Sequence, residues 1–190
     1  KIDALNPRTK KRELVTGEVS TDSAVILTII SLLIFYITLT RFNIMALWLS
    51  PVVVLVFTIY PFTKRVTYLC HFFLGLVYLM VPPAIEIAVT GSFSLETLVL
   101  GISGFFWVSG FDIIYAILDV DIDKKQNIYS IPSKFGVPNS IKIAWVCHLF
   151  TLLGIASLGI IQQLGLIYWV GCTILLALFA REHMIIMTIN

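Results

Sequence analysis

Six apolar runs, each long enough to cross a bilayer, dominate this chain of 190 residues. A spanning helix needs about 20 mostly apolar residues, and runs of that kind lie near 22–40, 44–60, 69–90, 96–118, 139–161 and 165–181. The breaks between them carry turn and cap signals at Arg41–Asn43, Pro61–Thr67, Gly91–Ser94, Asp119–Pro138 and Gln162–Gly165. Short linkers force neighbouring helices into antiparallel hairpins. The expected fold class is therefore all-α, a polytopic transmembrane helical bundle forming one domain over residues 1–190, with membrane lipid as its surroundings.

Composition agrees with that expectation. Apolar residues make up 58% of the chain and charged residues 13%, whereas soluble domains carry about 25% charge. A formal net charge of +2 gives no footprint for nucleic acid. Cys70, Cys147 and Cys172 lie far apart in apolar runs, a pattern that argues against a disulfide framework or cysteine-bound zinc. Basic residues cluster in alternate connections: Lys1, Arg8, Lys10, Lys11 and Arg12, then Lys64 and Arg65, then Lys124, Lys125 and Lys134. The opposite connections carry only Arg41. By the positive-inside rule the three basic segments face the cytoplasm. The chain opens with Lys1 in a polar loop and Met184–Asn190 starts a segment that it does not finish, so an internal piece of a longer membrane protein is expected.

The densest polar signal follows the fourth run. On a helix at about 100° per residue, Asp112, Tyr115, Asp119 and Asp123 share one face, and Asp121 points elsewhere. An ionised Asp inside a membrane helix costs at least ~2.5–3.5 kcal/mol, so Asp112 is expected to face protein or a water-filled cavity. Asp119 and Asp123, one turn apart, can share a hard cation such as Mg²⁺, which takes one or two carboxylates with substrate phosphates and water. A solvated acidic helix end balanced by Lys124 and Lys125 also explains the DxDxD run. The in-phase Asp112 favours the functional reading. Asp3, followed by Asn6, Arg8, Arg12 and Gly17, echoes this pattern and suggests a second acidic site across a shared cavity. Between the two, Lys64 and Arg65 follow a proline turn; a point charge and a planar fork suit a diphosphate and a carboxylate, although positive-inside placement explains them without any ligand.

These motifs resemble the UbiA-type intramembrane prenyltransferase superfamily, especially its 4-hydroxybenzoate polyprenyltransferase branch. Asp112, Tyr115, Ala116, Asp119 and Asp123, then Ser130 and Gly136, look like that family's second aspartate motif and the loop after it. Asp3 looks like the last aspartate of its first motif, Arg12, Leu14 and Gly17 resemble the basic segment that follows, and YPFTKRVT at 60–67 is similar to a later loop. Asn127 stands where many relatives have Gly, and it tolerates the positive φ of a turn. The resemblance implies nine helices around a central cavity, this chain supplying the third to the eighth. It implies Mg²⁺ as cofactor, held by Asp3, Asp119 and Asp123. It also implies Arg12 and Lys64 as contacts to a polyprenyl diphosphate, Ser130 as a substrate-binding residue, Arg65 as a contact to an aromatic carboxylate, and Asp112 with Tyr115 as the residues that orient the acceptor or handle its proton.

The expected activity is Mg²⁺-dependent transfer of a polyprenyl group to an aromatic carboxylic acid, 4-hydroxybenzoate first, in quinone biosynthesis at the bacterial inner membrane. A dihydroxynaphthoate acceptor for menaquinone remains open, as does an ion-coupled transporter with Asp112 as its cation ligand. The lipid-facing surfaces leave the oligomeric state open. Other polar or aromatic residues are assigned to packing. His71 and His148 lack a second ligand at helical spacing and are expected to be satisfied interhelical hydrogen-bonders, Glu86 sits near a span end without a named partner, and Phe72, Phe73, Tyr78, Phe105, Phe106 and Trp107 are expected to pack or face the bilayer rather than to line a tunnel.

Overall fold

All six apolar runs are helical, and three of the six helices start at a residue whose side chain caps them. The computed structural model describes Ala4, Asn6 and residues 9–189. A single turn, α1 (Glu13–Thr16), precedes α2 (Thr21–Leu39), α3 (Ile44–Thr63), α4 (Cys70–Thr90) and α5 (Leu95–Ala116). A 3₁₀ turn at Ile117–Asp119 then leads into α6 (Val120–Gln126) and α7 (Ile131–Phe135), followed by α8 (Val137–Ile161) and α9 (Leu166–Ile189). The long helices α2, α3, α4, α5, α8 and α9 are each long and apolar enough to cross a membrane, and the chain is an integral membrane protein.

The caps are local chemistry. Ser20, Asn43 and Ser94 each accept a hydrogen bond from a backbone N–H in the first turn of the helix that follows. Glu86 reinforces the last of these. Its Oε2 accepts from Ser94 N–H (2.7 Å), Ser94 Oγ (2.9 Å) and Thr97 Oγ1 (2.6 Å), so one carboxylate ties the end of α4 to the start of α5. The partner that the sequence did not name is thus the next helix's own cap.

The core is built on α5, which packs against α4 on one side and α8 on the other. Close approach depends on small residues. At Gly75, Gly101 and Gly154 a Cβ atom would run into the neighbouring helix, which is how membrane helices gain contact without a hydrophobic driving force between them. Phe72 stacks on Phe105, Phe105 packs edge-on to Phe106, and Phe106 stacks on Phe150. This ladder runs from α4 across α5 to α8, so Phe72, Phe105 and Phe106 pack as expected, whereas Tyr78 and Trp107 line an apolar cavity of about 350 Å³ among α4, α5, α8 and α9.

Two expectations need correction. The last helix does not stop at residue 181, nor does a new segment begin at Met184; α9 continues to Ile189. Arg181 and Glu182 do not end the helix: the fully buried His183 lies against His148 of α8, with Glu182 Oε2 3.8 Å from the same ring. The acidic segment is also not one continuous α-helix, because the 3₁₀ turn overwinds it at Ile117–Asp119 before α6 resumes.

Candidate active site

The polar end of the bundle is assembled from three connections. Lys64 caps the C-terminus of α3, and its carbonyl oxygen accepts from Tyr129 N–H at 2.8 Å, fixing the α6–α7 loop against α3. Asn127 makes that loop possible: its φ of 52° and ψ of 41° lie in the left-handed region, which its short polar side chain tolerates. Ile128 N–H then donates to the Asp123 carbonyl (2.9 Å), closing the turn.

A cavity of about 510 Å³ opens where these pieces meet, lined among others by Arg12, Lys64, Arg65, Asp112, Tyr115 and Asp119. Three cationic and two anionic side chains therefore face one partly open space, with Tyr60, Pro61 and Leu74 adding apolar wall. Arg65 also lies over the ring of Phe62, 5.5 Å from its centroid, a cation–π contact that restrains the guanidinium.

Asp119 and Asp123 are both buried. Asp119 Oδ1 accepts a hydrogen bond from Asn6 Nδ2 at 3.1 Å, a contact across 113 residues. The N-terminal segment therefore reaches the second acidic motif; the echo between them suggested two acidic sites across a shared cavity, and that expectation turns on Asp3. Asp3 lies outside the described residues. Asp123 has Asp119, Lys64 and Ser130 within electrostatic reach, and its Oδ2 has no hydrogen-bond partner among the described residues. A buried carboxylate oxygen without a donor, beside a second carboxylate, suits a divalent cation with oxygen ligands. The residues present fit Mg²⁺.

Ser130 differs from its expected substrate contact. It is fully buried and heads α7 in a capping box, its Oγ accepting from Ser133 N–H (3.2 Å) while Ser133 Oγ accepts from Ser130 N–H (2.9 Å). Its side chain hydrogen-bonds to Asp123, and neither residue lines the cavity.

His71 is the interhelical hydrogen-bonder that the sequence led one to expect, but its partner Asp112, and so its place at the site, was not foreseen. It is fully buried on α4, with Nδ1 2.7 Å from Asp112 Oδ2 on α5. The Ile131 N–H at the start of α7 donates to His71 Nε2 at 3.2 Å. Because Nε2 accepts, the ring proton sits on Nδ1 and donates to the carboxylate. One neutral imidazole thus joins α4, α5 and α7 and aims Asp112, whose side chain is 20% exposed and reaches the cavity. Its partners lie 41 and 60 residues away in sequence, so no spacing rule reveals it.

Comparison with known proteins follows the same lines. Residues 1–190 match the UbiA prenyltransferase family throughout. The 4-hydroxybenzoate octaprenyltransferase of Shewanella sp. strain ANA-3 is 33% identical over 185 residues, covering 97% of this chain and 64% of that protein. Its counterpart from Shewanella oneidensis is 34% identical over 189 residues, covering 96% and 66%. The chain spans about two thirds of the length of these relatives. Among solved structures, the apo structure of a UbiA homolog from Aeropyrum pernix K1 superimposes with a TM-score of 0.85 at 32% identity, covering 94% of this chain and 70% of that one. With its helical architecture and its paired acidic and basic segments, the chain belongs to the UbiA prenyltransferase family.

Proposed function

We infer that the protein transfers a polyprenyl group from its diphosphate to an aromatic carboxylic acid, with 4-hydroxybenzoate as the first candidate acceptor. The observation that carries this reading is the single cavity at the polar end of the bundle, where Arg12, Lys64 and Arg65 meet Asp112, Asp119 and Tyr115. The names of the Shewanella relatives supply the acceptor.

In this reading Asp119 and Asp123, with Asp3, hold Mg²⁺, and Asn6 keeps Asp119 turned toward the N-terminal segment. The bound metal neutralises diphosphate charge as it grows on the leaving group. Arg12 and Lys64 donate to the diphosphate oxygens, and these fixed donors stabilise the charge that develops as the allylic C–O bond breaks. The bonding electron pair leaves with the diphosphate. An aromatic carbon of the acceptor then attacks the allylic cation, and the ring proton is lost to restore aromaticity. Arg65 binds the acceptor carboxylate through its planar fork. Asp112, aimed by His71, receives the proton or orients the phenol, with Tyr115 beside it. The surrounding apolar wall keeps water from capturing the cation. The basic end faces the cytoplasm, at the bacterial inner membrane.

The test is a prenyl-transfer assay in membranes with a polyprenyl diphosphate and 4-hydroxybenzoate, with and without Mg²⁺. Product that needs Mg²⁺ and disappears in Asp119→Ala and Asp123→Ala supports the reading. Product only with a dihydroxynaphthoate keeps the mechanism and changes the acceptor. No product with any aromatic acid refutes it and brings forward the transporter.

A further inference from the structure

Three ionisable side chains meet inside the bundle, apart from the cavity described above. His148 on α8 and His183 on α9 are fully buried, with His148 Nδ1 3.0 Å from His183 Nε2. Glu182 Oε2 lies 3.8 Å from the same His148 nitrogen, and the three donor atoms all fall within 4.8 Å of one another. All three residues belong to membrane-spanning helices. A carboxylate there is costly unless something carries the opposite charge.

Hydrogen bonding alone leaves this cluster poorly satisfied. Two neutral imidazoles can share one proton between Nδ1 and Nε2, which leaves Glu182 facing uncharged rings. A protonated His148 would balance Glu182, but at 3.8 Å the two make no hydrogen bond, and its single Nδ1–H is already directed at His183 Nε2. The outer nitrogens, His148 Nε2 and His183 Nδ1, have no hydrogen-bond partner among the described residues; an ion on the inner nitrogens would make both of them N–H donors, and the Trp107 backbone lies beside His148. A divalent cation resolves the charge problem and takes both inner lone pairs.

The geometry is close to what such an ion requires. A tetrahedral zinc site with bonds of about 2.0–2.1 Å has ligand-to-ligand edges of about 3.3–3.4 Å; two of the three edges, 3.0 Å and 3.8 Å, lie on either side of that value, and the His183–Glu182 edge lies within 4.8 Å. The rings are held in place by stacking: Phe179 covers His148 at 4.2 Å and 11°, and Trp145 covers His183 at 4.3 Å and 23°. Gly110 supplies the room, since a Cβ there would come within 2.7 Å of His148 Nε2.

We propose that His148, His183 and Glu182 form a binding site for one divalent cation of borderline softness, of the Zn²⁺ class, that joins α8 to α9. Two imidazoles and one carboxylate form a zinc-type donor set, whereas Mg²⁺ takes oxygen ligands. The site is therefore chemically distinct from the aspartates at the cavity. Through Gly110 it also abuts the stretch of α5 that carries Asp112, two residues further on.

The test uses the detergent-purified protein, loaded with Zn²⁺ alone and dialysed, with metal content read by mass spectrometry. About one Zn²⁺ per chain is expected in the wild type and in an Asp119→Asn, Asp123→Asn variant, falling below about a tenth in His148→Gln, His183→Gln. Loading with Co²⁺ instead is expected to give the visible absorption bands of a four- or five-coordinate site in the wild type, a readout that needs no substitution. Because the double histidine variant can fail to fold, Glu182→Gln is the second variant; its side chain is 31% exposed. It is expected to weaken Zn²⁺ binding at least about 10-fold with elution and helical content unchanged. Wild-type protein that retains no Zn²⁺ and shows no Co²⁺ bands overturns the proposal and leaves a neutral histidine pair. Zn²⁺ that survives all three substitutions overturns it as well.

Discussion

A single imidazole decides how Asp112 is presented. His71 accepts from Ile131 N–H and donates to Asp112, so a replacement must do both to preserve the arrangement. The Gln side chain has one acceptor and one donor end. His71→Gln is expected to keep prenyl transfer within about 10-fold of wild type, while His71→Leu loses about 100-fold, mostly in kcat. His71→Leu also strands the Ile131 N–H, at a cost of about 1–3 kcal/mol. Equal losses in both variants, or a loss confined to KM, would contradict the positioning role. Glu86 gives the structural contrast. Glu86→Ala leaves Ser94 and Thr97 without their shared acceptor and is expected to lower thermal stability, with kcat/KM in the still-folded enzyme unchanged. Thermal denaturation alongside the assay separates these outcomes.

Turns and helix ends show what local sequence can and cannot specify. Asn127 was legible as a left-handed turn residue because few side chains tolerate positive φ, and its φ of 52° agrees. Asn127→Gly is therefore expected to leave folding and activity near wild type. Asn127→Val, β-branched at the same φ, costs about 1–2 kcal/mol and loosens the loop that carries Ser130. Limited proteolysis of the α6–α7 loop checks this directly, with faster cleavage expected in the valine variant only. The end of α9 was not legible, because Arg181 and Glu182 resemble a boundary to any rule that scores charge alone. The 3₁₀ turn before α6 was missed for a related reason: spacing arguments assume one helical period, and the overwinding at Ile117–Asp119 lies in the packing around it.

For the molecule as a whole, hydropathy and length were enough to place six spans, since bilayer thickness sets a helix length that few other folds demand. The charged loops gave the candidate site for the same reason, because acids and bases are scarce in such a chain and concentrate where chemistry or the interface requires them. Pairings across helices were hidden. Asn6 with Asp119, His71 with Asp112 and His148 with His183 are separated by 113, 41 and 35 residues, and only the packing of α4, α5, α8 and α9 brings the helical pairs together. The central claim is that the buried aspartates and the basic residues at the polar end jointly bind a diphosphate through a metal. It is tested most directly by the affinity of the purified protein for a polyprenyl diphosphate, with and without Mg²⁺, in wild type and in Asp123→Asn. The account predicts tight binding only with Mg²⁺ and at least about 100-fold weaker binding in the isosteric variant. The same affinity in both proteins, or without the metal, would contradict it.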